Sequence, residues 1–133
     1  MTSDARPKSL AAPTTKALGD AAEARALAHL VARGLVPVER NYRVARGPRS
    51  RGGEIDLILR EPDGTLVFVE VRARRDARFG GAAASIGAVK QQRLVFAARH
   101  FLRRFQVQPP CRFDVVTVEA GRIEWLRAAF DAS

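Results

Sequence analysis

At 133 residues the chain is long enough for one domain with a core that folds unaided. Its single cysteine, Cys111, excludes an internal disulfide or a cysteine-based zinc cluster, and no apolar run approaches the roughly 20 residues that span a bilayer. These features fit a cytoplasmic protein that does not enter a membrane, and the net charge of +9 indicates an anionic partner, nucleic acid above all.

The N-terminal part predicts a disordered lead followed by a helix. Residues 1–13 lack the uninterrupted apolar centre of a secretory signal, so residues 14–133 are expected to form the single domain. Thr14 or Thr15 can cap a helix that runs to about Arg33 and stops at Gly34. The expected inward stripe is Asp20, Glu23, Ala24, Leu27, Leu30 and Val31.

Glu23 therefore lies on the packed face of this helix. It is either at the edge of the core, paired with an arginine, or directed at a site. Residues 35–44 then predict an extended segment, in which Pro37 favours an edge strand because proline cannot donate to a ladder. A basic loop over residues 45–52 follows.

Residues 53–74 read GEIDLILREPDGTLVFVEVRAR and predict two strands folded back on each other. Apolar and polar residues alternate along both strands, and Pro-Asp-Gly at 62–64 is typical of a turn. On the first strand Ile55, Leu57 and Leu59 are expected to share one face.

A hairpin centred on Asp63, with a loop of about five residues, places Asp56 opposite Glu70 and Glu54 opposite Arg72. Like charges so placed, with Cβ atoms roughly 4.5 to 5.5 Å apart, destabilise a sheet. A divalent cation such as Mg²⁺ would offset that cost, because it binds one or two carboxylates together with water and phosphate oxygens. The alternative is a surface hairpin whose acids are neutralised by the nearby arginines.

A second helix is predicted from Ser85 to about Phe105, with apolar positions at spacings of three and four from Leu94 onward. Lys90 lies one turn before Leu94 and borders the buried face.

Residues 112–119 alternate as a buried strand, and residues 123–126 predict a short last one. The order is helix, three strands, helix and one or two strands, which indicates a mixed α/β domain. The sequence contains no phosphate-binding glycine loop, no Rossmann pattern and no recognisable Ser or Cys nucleophile.

Arginines cluster on both sides of the hairpin, which favours nucleic-acid contact beside the two carboxylates. The arginines are Arg43, Arg46, Arg49 and Arg51 before it and Arg72, Arg74, Arg75 and Arg78 after it. A membrane surface is less favoured, because these residues lie on loops instead of one face of a helix. The alternative explanation is coding bias, since the bases are 20 Arg and 3 Lys beside abundant alanine.

Five features together resemble the bacterial YraN-like family of small uncharacterised proteins. They are Glu23, GEIDLI at 53–58, FVEVRAR at 68–74, Lys90 and RFDVV at 112–116, and the resemblance covers about residues 16–130. That family is similar in fold to restriction endonucleases and Holliday-junction resolvases. The resemblance therefore implies a restriction-endonuclease-like three-layer core, with a mixed sheet and a central antiparallel hairpin.

Enzymes of that fold share a helix glutamate, an aspartate and a Glu-x-Lys on the next strand, which correspond here to Glu23, Asp56, Glu70 and Arg72. The resemblance implies that Asp56 and Glu70, with Glu23 through water, hold Mg²⁺ or Mn²⁺. It implies hydrolysis of phosphodiester bonds in DNA, including branched DNA. It also implies a homodimer, because the resolvase-like relatives are dimers.

Two departures from the family pattern bear on catalysis. Arg72 stands where the family usually has lysine, and VARGPRSR is inserted before GEIDLI. A guanidinium binds phosphate but cannot accept a proton, so a nucleic-acid-binding protein with weak or lost catalysis is the alternative function. Lys90 would supply the missing ammonium if it lies within about 10 Å of the two carboxylates. A third alternative is a protein-assembly factor whose charge reflects genome composition.

Overall fold

The computed structural model describes residues 14–45, 47–48, 52–73 and 86–132, and in them two helices pack on a five-stranded sheet. In chain order the elements are α1 (Thr15–Ala32), β1 (Val36–Val44), β2 (Gly53–Arg60), β3 (Leu66–Ala73), α2 (Ala88–Leu102), β4 (Cys111–Glu119) and β5 (Arg122–Phe130). The predicted order and the mixed α/β class are confirmed. The predicted lead, residues 1–13, lies outside the described residues. Neither described helix is long and apolar enough to cross a membrane.

The sheet follows the order β1-β2-β3-β4-β5, so neighbours in sequence are neighbours in space. The first three strands form an antiparallel meander, β3 and β4 are parallel, and β5 returns antiparallel to β4. A parallel pair needs a crossover, and α2 lies within the chain that joins β3 to β4. α1 packs on one face of the sheet and α2 on the other, which gives the three layers and two apolar cores.

α1 begins and ends where its capping residues predict. The Thr14 hydroxyl accepts a hydrogen bond from a first-turn N–H at 3.0 Å. At the other end, Gly34 has φ +97° and donates to the Val31 carbonyl at 3.0 Å, while Leu35 donates to the Leu30 carbonyl at 3.2 Å. These two bonds form a Schellman motif, which favours glycine because of the left-handed backbone.

The prediction of the buried face of α1 is wrong, because the helix is rotated about its axis relative to the expected orientation. Ala22, Ala26 and Leu30 are buried, whereas Ala24 and Val31 are exposed. Alanines occupy several faces of this helix, so periodicity did not define which of them would pack. Burial of small residues brings the helix backbone close to the sheet, and it leaves Glu23 at the edge of the core with 14% of its side chain exposed.

The predicted turn joins β2 to β3. Gly64 has φ +97° and donates to the Glu61 carbonyl at 2.9 Å, and the Asp63 carboxylate accepts a backbone N–H two residues further on. The register pairs Leu57 with Val69, as a turn centred on Asp63 requires.

The C-terminal elements differ from their expected lengths. α2 is shorter than predicted, with Gly87 as its N-cap and Leu102 as its last residue. β5 is longer than predicted and reaches Phe130, because this ring stacks on Phe113 with the two centroids 4.9 Å apart.

A buried network fixes β5 to β4. Asp114 is completely buried and accepts hydrogen bonds from the Trp125 indole N–H and the Ala128 backbone N–H, both at 2.9 Å. Its third partner is Arg112, whose Nε lies 3.0 Å away and whose guanidinium also pairs with Glu61. The Ala128 bond forms where that residue has φ +50° and the β4–β5 register shifts. The aspartate of RFDVV is therefore a structural group.

We expect Asp114→Ala to lower the free energy of unfolding by about 3 to 5 kcal/mol, because Arg112 and two N–H donors lose their buried acceptor. Urea denaturation measures the change. Glu124→Ala removes a carboxylate from an exposed position of β5 and should stay within about 0.5 kcal/mol of the wild type. Equal stability of the two variants would contradict this role for Asp114.

Candidate metal centre

The regular alternation of strand β2 is broken at Asp56, so that alternate residues before and after it lie on opposite faces of the sheet. Gly53 and Ile55 pack towards α2, whereas Leu57 and Leu59 belong to the core on the α1 side. A regular strand would place these alternate residues on one face. The expectation that Ile55, Leu57 and Leu59 share a face is therefore wrong, and the break falls at a candidate ligand.

The neighbouring strand is irregular at the same level. Asn41 in β1 has φ +52°, a conformation that costs about 1–2 kcal/mol for most residues and that asparagine adopts more readily. The pairs on either side put Asn41 directly across from Asp56. Next to it in the chain, Arg40 points to α1 and Tyr42 packs against α2. Strained backbone of this kind is concentrated at functional sites.

The side chains of Asp56 and Glu70 meet inside the protein. Asp56 is 9% exposed and Glu70 is 4% exposed, and each carboxyl group affects the pKa of the other. The last β2–β3 pair before them is Leu57 with Val69. Beyond it, Asp56 Oδ2 accepts the Val71 N–H at 2.8 Å, so a carboxylate replaces a backbone carbonyl at this point of the ladder.

Burial is the main cause that raises the pKa of both carboxyl groups. For Glu70, burial and then the charge of Asp56 raise the pKa to about 7, although Lys90 acts against this. For Asp56, burial raises the pKa against the opposing Val71 N–H. Two coupled acids titrate as a pair, and the folded pair keeps a proton to a higher pH than the two groups do in the unfolded chain.

Lys90 brings an ammonium to this pair. Its Nζ lies 3.4 Å from Glu70 Oε2, and 35% of its side chain remains exposed. It extends from the first turn of α2, so the charge reaches the strand from the helix layer. For Glu70, the ammonium is well within the distance of about 10 Å expected of a lysine that substitutes for the one missing from β3.

Glu23 approaches the pair from α1. Burial, and then the charge of Asp56, raise its pKa, whereas Arg40 and the Asn41 amide lower it. Nη2 of Arg40 lies 3.9 Å from Glu23 Oε1.

The oxygens of these acids fit a hard cation. Glu70 Oε1 and Glu23 Oε1 are buried and have no hydrogen-bond partner among the described residues, which is costly for a carboxylate. Mg²⁺ and Mn²⁺ take carboxylate oxygens and complete their shells with water. No three acidic, histidine or cysteine side chains converge on one point in the described part of the chain. Asp56 and Glu70 would therefore hold the ion directly, and Glu23 would act through water.

Two of the arginines predicted to contact nucleic acid lie among the described residues. Arg72 follows Glu70 by two residues on β3, beside Thr117 of β4, and is partly buried. Arg43 is exposed at the end of β1, with its Nε 3.8 Å from Glu54. The remaining candidates lie outside the described residues: Arg46, Arg49, Arg51, Arg74, Arg75 and Arg78.

Two neighbours of the site were not found by the sequence reasoning. Asn41 faces Asp56, and Arg93 of α2 places its Nη2 3.7 Å from Glu54. An asparagine in the middle of a strand is a signal, because it disfavours extended structure and tolerates a positive φ. For Arg93 the signal is its place one turn after Lys90, which puts both on adjoining parts of the helix surface.

Comparison with known proteins gives a consistent result. A model of the uncharacterised protein family UPF0102 matches residues 22–118. A UPF0102 protein of Methylibium petroleiphilum is 68% identical over 120 residues, which cover 90% of this chain and 98% of the relative. One from Acidovorax sp. is 62% identical over 122 residues, covering 92% of this chain and 90% of the relative, and one from Cupriavidus taiwanensis is 59% identical over 125 residues, covering 94% and 91%.

The buried pair makes stability depend on pH. The unfolded chain releases the Glu70 proton near pH 4.5 and the folded protein near 7, so the folded state binds more protons between these values. Stability should therefore fall as the pH rises through this window, by on the order of 1 to 3 kcal/mol in EDTA. Chemical denaturation at a series of pH values measures it.

Glu70→Gln should remove this loss, which makes the variant more stable than the wild type at alkaline pH without metal. Glu124→Gln, the same change at an exposed position, should keep the wild-type slope. Finding one common pH slope in the wild type and Glu70→Gln would refute the description of a pair that keeps its proton.

Asn41 offers a test of the strained backbone. Asn41→Gly keeps access to φ +52°, whereas Asn41→Ala should lower the free energy of unfolding by about 1–2 kcal/mol relative to Asn41→Gly. Both variants lose the amide, so both should raise the pKa of Glu23, which NMR titration follows. An alanine variant as stable as the glycine variant would argue against the strain.

Proposed function

The chain belongs to the uncharacterised protein family UPF0102, and from its buried acidic pair we propose that it is a metal-dependent nuclease that hydrolyses phosphodiester bonds in DNA. One observation carries the proposal: Asp56 and Glu70 are buried together at the edge of a cationic surface, with the Lys90 ammonium 3.4 Å from Glu70. A sheet gains nothing in stability from two adjacent buried acids. In a site for a divalent ion and a phosphate, the two carboxylates can bind the ion and the ammonium can bind the phosphate.

Asp56 and Glu70 would bind Mg²⁺ or Mn²⁺, with Glu23 in contact through water. Such an ion, when bound, lowers the pKa of a water molecule and offsets charge on the phosphate. The Val71 N–H holds Asp56 Oδ2 in place, so one ligand is fixed by the backbone of the adjacent strand. The proton that the pair keeps in its metal-free form must leave when both groups become ligands, so ion binding should strengthen as the pH rises.

Lys90 takes the catalytic role that the family pattern gives to a lysine on the strand. Its ammonium carries three donors, and Glu70 uses one side of it, so it can also donate to the attacking water or to a phosphate oxygen. Arg72 is then a phosphate-binding group on β3 that has no part in proton transfer.

Nucleic-acid binding with weak or lost catalysis is the second candidate. Arg72 favours it, because a guanidinium in the position of the usual lysine supports phosphate binding without proton transfer. The two functions make opposite predictions for cleavage and the same prediction for binding. A homodimer would place two sites on branched DNA, one for each strand of a two-stranded cut. The homodimer stays a prediction, and sedimentation velocity measures the oligomeric state.

We expect the wild type to cleave at least one of linear, nicked and four-way-junction DNA in Mg²⁺ or Mn²⁺, and Lys90→Met to lower the rate about 10² to 10³-fold through loss of transition-state charge stabilisation. Rates of cleavage of labelled DNA measure the change. Arg72→Lys should leave the rate within about tenfold, because Lys90 already supplies the ammonium.

Two controls define the outcome. Lys16→Met makes the same change at an exposed position of α1 and should cleave like the wild type, while Glu70→Ala reports contaminating nuclease. Metal-independent binding without cleavage of any substrate, in a protein that lacks a Mg²⁺ or Mn²⁺ thermal shift, would favour the second candidate.

A further inference from the structure

Helix α2 has a charge pattern that α1 lacks. No acidic residue occurs from 86 to 113, so every charged side chain of the helix and its C-terminal turn is basic. These residues are Lys90, Arg93, Arg99, Arg103 and Arg104. α1, on the opposite face of the sheet, carries two acids beside its two bases. A uniform coding bias towards arginine would have acted on both helices, so it does not account for a difference between them.

The basic residues nearest the sheet form a row that starts at the candidate metal centre. Lys90 contacts Glu70, Arg93 lies 3.7 Å from Glu54, and Arg104 lies 3.9 Å from Glu39 of β1. Between Arg93 and Arg104, the His100 ring accepts or donates a 2.6 Å hydrogen bond with the Tyr42 hydroxyl. The row therefore runs along α2 from β3 past β2 to β1, over about 18 Å from Lys90 to the helix end at Leu102 at 1.5 Å per residue, with Arg104 just beyond.

The arginines of this row are not held by short hydrogen bonds. The distances from Arg43 and Arg93 to Glu54 are 3.8 and 3.7 Å, longer than a hydrogen bond, and part of each arginine side chain is exposed, 72% and 30% respectively. Two guanidiniums thus share one carboxylate and leave an excess positive charge beside the metal centre.

Arg104 is held differently. Its guanidinium carbon lies 3.8 Å from the centre of the Phe101 ring, a cation–π contact that fixes the plane of the group. About half of the Arg104 side chain is exposed, 48%, so its outer edge faces solvent. A guanidinium supported on an aromatic ring is preorganised for a phosphate oxygen.

We propose that this row, Arg43, Arg93 and Arg104 with Lys90 at its end, is a track for the DNA backbone, which leads away from the metal centre along α2 and β1. The inference rests on the proposed function in taking DNA as the partner. It adds the path of the strand: phosphates contact the α2 face, and the α1 face stays free of DNA. A length of about 18 Å corresponds to about five base-pair steps at about 3.4 Å per step.

The test uses the full chain with Glu70→Gln as the background, so that DNA is bound but not cut. Binding of a fluorescein-labelled duplex and of a four-way junction is measured against salt in EDTA. Arg93→Gln with Arg104→Gln should weaken binding and reduce the slope of log affinity against log salt by about 1 per arginine, so about 2 in total. The matched control, Arg25→Gln with Arg33→Gln, removes the same charge from the α1 face and should keep the slope.

A second pair of variants keeps the test valid if the glutamine variant folds poorly. Arg93→Lys with Arg104→Lys retains the charge and should keep the salt slope, while losing the planar support that Phe101 gives. An unchanged slope in the glutamine variant, an equal loss in the α1 control, or no DNA binding by the background protein would each overturn the track.

The result is separable from the test of the proposed function. A lower slope in the α2 variant together with no cleavage by the wild type would leave the track standing and remove the nuclease. Cleavage by the wild type together with an unchanged slope in the α2 variant would support the nuclease and overturn the track.

Discussion

Two carboxyl groups buried side by side set the constraint to which the surrounding structure responds. When Asp56 and Glu70 are buried together, both can ionise only beside a cation, and without one the pair keeps a proton. The Val71 N–H binds one of them, the Lys90 ammonium approaches the other, and the regular ladder between their strands stops at the pair before them. Glu23 adds a third acid whose pKa is raised in turn. The surroundings lessen the repulsion without removing it, which is the state expected of a site prepared for a ligand.

The topology explains why these groups meet. The connection from β3 to parallel β4 crosses one face of the sheet, so the first turn of α2 lies beside Glu70 near the end of β3. α1 covers the other face and brings Glu23 to the same level of the sheet. The break in the alternation of β2 at Asp56 lies in the sheet, between the α1 layer and the α2 layer. Consequently, Glu23 lies near enough to the pair for the charge of Asp56 to act on it, although the two belong to different layers.

Much of this could be predicted from the sequence, because it depends on local chemistry. Gly34 ends α1 and the turn at Asp63 sets the register of the hairpin, and both follow from backbone preferences. The face of Ile55 could not be predicted, since it depends on the irregular backbone at Asn41 in a different strand. The rotation of α1 was missed because alanine fits either a core or a surface. The contact of Lys90 with Glu70 required the crossover geometry, which no spacing in the sequence reports.

The ammonium beside Glu70 comes from a helix and not from the strand that carries Glu70, which affects how proteins with this site can be recognised. A lysine on β3 is tied to Glu70 by the two-residue repeat of the strand, so neither residue can shift without the other. A lysine on α2 reaches the same carboxylate from a separate element, so under the proposed function position 72 would not have to carry a lysine. A linear motif search that requires glutamate and lysine two positions apart would overlook this chain. A search for two buried acids and an ammonium in space would retrieve it, whichever element carries the cation.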